Sequence, residues 1–153
     1  MKKILISFTI IGMSAITQAD EIDRRCGSEW GANYEMVQYC VKNQRQAKRE
    51  IAPHSGLIRR NCESEWGTNY EMVLYCINNQ SAAKRNMDRT PTDQIARSCR
   101  EEWGNNFEMV EYCSKNQRNA KATIERSYSG GKRRSCEREW GTNYEMVLYC
   151  IRN

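Results

Sequence analysis

The sequence is poor in the residues that build catalytic and metal centres. Histidine occurs once, at His54, in a stretch that reads as a turn and far from any close cysteine pair. That excludes a zinc centre of the usual Cys/His spacing. There is no glycine-rich phosphate loop and no nucleophile set beside a base, so the expected protein is not an enzyme and carries no cofactor. Only 39% of residues are hydrophobic and two are phenylalanine, which leaves little for a single large core. The longest mostly apolar run, Ile4 to Ile16, is too short to span a bilayer as a helix.

That run has another reading. Lys2 and Lys3 precede it and Thr17-Gln18-Ala19 follow, with small residues at the −3 and −1 sites of a cleavage point. This is the pattern of a secretory signal peptide, and no cysteine sits where a lipid anchor would be attached. Residues 1–19 are therefore expected to be a leader, and 20–153 an exported chain that does not span the membrane. A periplasmic or secreted location follows.

Cysteine, by contrast, is plentiful and ordered. Eight cysteines fall two by two into four copies of C-x3-W-G-x-N-[Y/F]-E-M-V-x-Y-C, beginning at Cys26, Cys62, Cys99 and Cys136, which are 36, 37 and 37 residues apart. A fixed period of this length marks a repeat protein, and an even cysteine count in an exported chain marks disulfides. Repeats two and four are almost identical, differing over eighteen positions only at Ser64/Arg138 and Asn78/Arg152.

Each repeat reads as a helical hairpin. Ile22, Cys26 and Trp30 are spaced by four, as are Ile58, Cys62, Trp66 and Ile95, Cys99, Trp103, and this spacing keeps side chains on one helix face. Gly31, Gly67, Gly104 and Gly141 follow directly, where a helix end favours glycine. Thr68 with Glu71, Asn105 with Glu108 and Thr142 with Glu145 have the spacing of a capping box. Repeat one has Ala32 at that place, so Asn33 is its expected cap. The second helix carries a longer stripe: Val37, Cys40, Val41, Gln44, Ala47 and Ile51, with matching sets later in the chain. Helix ends are expected at Ala52-Pro53-His54-Ser55-Gly56, at Arg89-Thr90-Pro91 and at Ser127 to Gly131.

The hairpin favours one disulfide pairing over its alternative, since joining Cys40 to Cys62 across the Pro-Gly turn would leave arms unequal by about six residues, some 9 Å of helix, and strand Cys26 and Cys150. Fourteen residues of continuous helix would hold two cysteines about 21 Å apart, against roughly 5.5 Å in a disulfide. Folding at Trp-Gly brings them opposite each other. The expected bridges are Cys26–Cys40, Cys62–Cys76, Cys99–Cys113 and Cys136–Cys150. The second helix outruns its bridge, so its distal face needs a partner in the next repeat, whose first helix is the expected candidate. Repeat four stops at Asn153, before the Gln, Ala and Ile positions that such a partner would cover. The fold class is thus all-α, with four tandem disulfide-stapled hairpins, starting near residues 22, 58, 95 and 132, stacked as a short α-solenoid.

Charge alternates along the chain. The Cys-to-Cys segments carry −2, −3, −3 and −2, whereas the connecting segments carry +5, +2 and +6. Lys48, Arg49, Arg59, Arg60, Lys121, Arg126, Lys132, Arg133 and Arg134 form the candidate binding set, gathered toward the connecting turns. Glu29, Glu65, Glu102 and Glu139, in the last turn of each first helix, are expected to turn toward the start of the second, whose dipole favours negative charge. Met36, Met72, Met109 and Met146 are expected as gap-fillers in the core, and Trp30, Trp66, Trp103 and Trp140 as packing over the bridges. The function expected from these features is binding: a protein-interaction module, adaptor or inhibitor, of the cell envelope or extracellular medium. The alternative is a binder of anionic polysaccharide, lipid or nucleic acid through a basic edge.

Overall fold

The computed structural model describes residues 16–153, with side chains from Glu21 onward. Most of the expected leader lies outside the described residues. Eight helices and no strand are found among those described. They alternate short and long: α1 Ile16–Trp30, α2 Tyr34–Ile51, α3 Gly56–Trp66, α4 Tyr70–Arg89, α5 Gln94–Trp103, α6 Phe107–Ser127, α7 Gly130–Trp140 and α8 Tyr144–Arg152. None of them is long and apolar enough to cross a membrane.

All first helices break at the same residue pair for one reason. Gly67, Gly104 and Gly141 adopt φ of 55 to 56° with ψ near −119 to −115°, the mirror image of extended backbone that side chains disfavour. A Cβ on these glycines would meet nothing within 4 Å, so the requirement is conformational and not one of space. The turn closes when the Asn69 N–H donates to the Trp66 carbonyl at 3.0 Å, and Asn33, Asn106 and Asn143 do the same to their tryptophans. The asparagine then acts twice. Its side chain accepts from the backbone N–H three residues on, at Met36, Met72, Met109 and Met146. Asn33, expected as the cap of repeat one, is therefore the pattern for all four.

Thr68, Asn105 and Thr142 are not the caps that the capping-box spacing suggested. They sit inside the glycine turn, one residue too early, and the helices begin at Tyr70, Phe107 and Tyr144.

The four disulfides each link successive helices, as the hairpin register requires. Cα–Cα distances are 5.7 Å for Cys26–Cys40 and 5.8 Å for both Cys99–Cys113 and Cys136–Cys150. Cys62 and Cys76 are also disulfide-bonded, and no cysteine is free. Small cores form around the bridges, such as Ile22 with Cys26 and Cys40, and Ile95 with Cys99, Val110 and Cys113.

The described chain divides into two compact units, one up to Leu74 and one from Tyr75 to Asn153, with the boundary inside α4. In the first, Tyr70 at the start of α4 packs on the core of repeat one. In the second, Tyr144 at the start of α8 packs on the cores of both repeats three and four. Tyr34, which follows no earlier repeat among the described residues, is 79% exposed. Tyr70 and Tyr144 are thus the wedges that join repeat two to one and repeat four to three.

A glutamine completes each junction. Gln44, 3% exposed, donates from Nε2 to Asn69 Oδ1 at 3.2 Å and to Glu71 Oε2 at 2.9 Å, and its Oε1 accepts from the Tyr70 N–H at 2.8 Å. Gln80 makes the same three bonds to Asn106, Glu108 and Phe107, and Gln117 to Asn143, Glu145 and Tyr144. The capping-box glutamates therefore face the preceding repeat instead of their own helix end. The distal face of a long helix is covered by the whole next hairpin: Ile124 of α6 packs with Cys136 of α7 but also with Val147 and Ile151 of α8. The expected partner, the next first helix, supplies only part of that cover.

Candidate functional site

The nine candidate cations divide into two groups. Lys48 Nζ lies 4.8 Å from the centre of the Tyr70 ring, and Lys121 Nζ lies 5.4 Å from that of Tyr144, so both stack on the wedge of the following repeat. Arg59 Nε donates to Glu63 at 2.7 Å and its Nη1 to the His54 carbonyl at 2.9 Å, tying the connecting turn to α3. Arg133 repeats this with Glu137 at 2.7 Å and the Tyr128 carbonyl at 3.1 Å. These four residues have structural partners. Arg49, Arg60, Arg126, Lys132 and Arg134 are exposed, and among the described residues they have no hydrogen-bond or ion-pair partner.

The aromatic residues are distributed differently from the expectation. Trp30, Trp66, Trp103 and Trp140 are 37 to 39% exposed. The tyrosine just before each second cysteine faces outward still more: Tyr39 60%, Tyr75 61%, Tyr112 61% and Tyr149 63% exposed. The cause is helical rotation. The buried face is set by the second cysteine and by Val73, Val110 and Val147, each 0% exposed, and a residue adjacent to a buried one is turned about 100° away. Met36, Met72, Met109 and Met146 precede that valine position and are accordingly half-buried rather than core. In the second unit, Met109 and Tyr112 line a surface groove against Ala82 and Ala83 of α4.

Glu29, Glu65, Glu102 and Glu139 are exposed and, among the described residues, make no hydrogen bond to the second helix. The place beside that helix start is taken by the preceding repeat's glutamine, or in repeat one left to solvent. No group of three metal-ligating side chains occurs among the described residues.

One carboxylate stands apart. Asp93 caps α5 by accepting from the Ala96 N–H at 2.8 Å and receives a two-pronged hydrogen bond from Arg118 at 3.1 and 3.2 Å. The Ala96 hydrogen bond first, then Arg118, hold its carboxyl below the ordinary 3.8 against the opposing effect of burial.

Two features of the repeat surface were missed from sequence. The glutamines had a signal, being the polar members of an otherwise apolar stripe. The outward tyrosines had only their position next to cysteine. No protein-family model matches the chain, and no match is found among curated proteins or solved structures.

Proposed function

We propose that the chain is an exported protein-interaction module, an adaptor or inhibitor working in the periplasm or outside the cell. The bridges support the compartment, since disulfides persist in oxidising surroundings. The observation that carries the reading is the outward tyrosine of every repeat. Its neighbour in sequence changes freely, Gln38, Leu74, Glu111 and Leu148, yet the tyrosine is kept in all four copies with some 60% of its surface in solvent. Core packing gives no reason to keep it. Tyrosine is a favoured anchor of protein interfaces because it offers a large rigid surface with one polar tip.

A photo-crosslinking residue placed at Tyr112 or Tyr149 of the full chain, expressed in its own envelope, is expected to give the same discrete protein adduct from both sites. Placed at exposed Arg85, it should give none, and the adduct should persist at high salt. An adduct that vanishes with salt, or arises equally from Arg85, overturns this reading.

The second reading is an anionic polymer or lipid held by Arg49, Arg60, Arg126, Lys132 and Arg134, which the fold leaves unpartnered among the described residues. Such binding weakens steeply as salt rises, so the two readings separate in the same experiment.

A further inference from the structure

Repeat three departs from repeats two and four at two facing places, and the departures converge. The residue after the second cysteine is apolar in repeats one, two and four: Val41, Ile77 and Ile151. Val41 packs against the core of its repeat, and Ile77 and Ile151 are 1% and 8% exposed. In repeat three it is Ser114, 5% exposed, and its Oγ has no hydrogen-bond partner among the described residues. A buried hydroxyl without a partner is costly and uncommon in folded chains. Where a repeat breaks its own packing rule, function is the usual reason.

The second departure lies across from it. Repeats two and four close this region with the ion pairs Arg59–Glu63 and Arg133–Glu137, both at 2.7 Å. The corresponding residues of repeat three are Ala96 and Arg100. An arginine is thus replaced by a small buried residue, and a glutamate by an arginine with no acceptor among the described residues. The result is a pocket of about 290 Å³ between the end of α4, the Thr90-Pro91-Thr92 connection, α5 and α6. Met87, Pro91 and Ala96 supply apolar wall, Ser114 the buried hydroxyl, and Arg100 and Lys115 exposed positive charge.

Of the other charges in the lining, Arg118 is paired with a carboxylate, whereas Glu111 is bound only by a neutral amide and keeps its negative charge. Arg118 is held by Asp93 at 3.1 Å, and Glu111 accepts from Asn86 Nδ2 at 2.9 Å. Arg100 and Lys115 remain without acceptors among the described residues. The volume lies at the lower end of the range for ligand pockets, which limits the occupant to one ring or a short chain.

We propose that repeat three binds a small organic carboxylate. Its apolar body lies along Met87, Pro91 and Ala96, its anionic group is held by Arg100 and Lys115, and a further polar atom meets Ser114 Oγ. The site is separate from the outward tyrosines and stands whether or not they bind a protein.

The test is an NMR titration of the oxidised full chain with 4-hydroxybenzoate, and with phenol as the probe lacking the carboxylate. Saturable shifts of the Ala96, Arg100, Ser114 and Lys115 amides are expected with the acid, and binding at least about tenfold weaker with phenol. Ser114→Ile restores the residue that repeats two and four carry. It should raise the melting temperature and abolish the saturable shifts. Arg100→Glu should weaken the acid about tenfold or more at unchanged melting temperature. No saturable shift at millimolar acid, equal binding of phenol, or undiminished binding by Ser114→Ile each overturns the proposal.

Discussion

Gln44 shows how one polar side chain carries a junction that apolar residues would be expected to carry. Its amide is buried, its two donors are taken by Asn69 and Glu71, and its acceptor by the Tyr70 N–H. Gln44→Leu keeps the apolar stem but strands the Tyr70 N–H and frees Glu71. The expected cost is about 1 to 3 kcal/mol, the penalty for leaving buried polar groups unpaired. Gln80 and Gln117 are only half-buried, so water can replace their bonds, and the same change there is expected to cost roughly 0.5 to 1.5 kcal/mol. Denaturant unfolding of the three single variants checks the order. Equal losses at all three sites would mean that burial of the amide is not what matters.

At the level of elements, α5 shows how a short first helix is fixed at both ends. It is joined to α6 by the Cys99–Cys113 bridge and anchored at its start by Asp93, which also binds Arg118 of α6. The Asp93 carboxyl titrates below its ordinary 3.8 in the folded chain. Its ionised form therefore favours folding: the contribution is complete above that value and is lost as the pH falls through the lowered folded pKa. Between neutral pH and about pH 5 the stability difference between the wild-type chain and Asp93→Asn is expected to stay constant, and below it to shrink. Thermal melts of both proteins across that range make the comparison. A difference that does not change with acid would remove Asp93 as the source.

For the molecule as a whole, bridges take the place of a large core. The buried residues are mostly cysteine, valine, isoleucine and alanine, clustered in small groups about each bridge. Each bridge closes a loop of about fifteen residues, worth on the order of 3 kcal/mol in the chain-entropy account. A hairpin of this size has little else to set against the entropy of ordering it. Reduction is therefore expected to remove most of the helical circular dichroism at moderate temperature. Full helicity with a sharp melt after reduction would show that the junctions alone hold the repeats. Repeats two and four share the arginine tie of Arg59 and Arg133, whereas repeats one and three anchor instead through Arg45 with Asp23 and Arg118 with Asp93.

What the sequence determined by itself is whatever depends on residues near one another along the chain. The cysteine period, the Trp-Gly break and the spacing by four point to eight helices and the hairpin register, and arm length favours the within-repeat bridges over a Cys40–Cys62 pairing across the connecting turn. Asn33 was legible as a cap for the same reason, in the one repeat where alanine removed the competing residue. In the other three the choice between Thr68 and Asn69, or Asn105 and Asn106, turns on which residue the glycine turn consumes, and spacing alone does not reveal that. Tertiary structure decided the rest. Gln44, Gln80 and Gln117 find partners 25 to 28 residues away. Lys48 and Lys121 are drawn onto tyrosines of the next repeat. Ser114 lies beside a pocket where Ala96 and Arg100 take the places that repeats two and four give to an ion pair. The partner of a polar side chain is set by which distant helix is brought against it, and a local pattern does not contain that information.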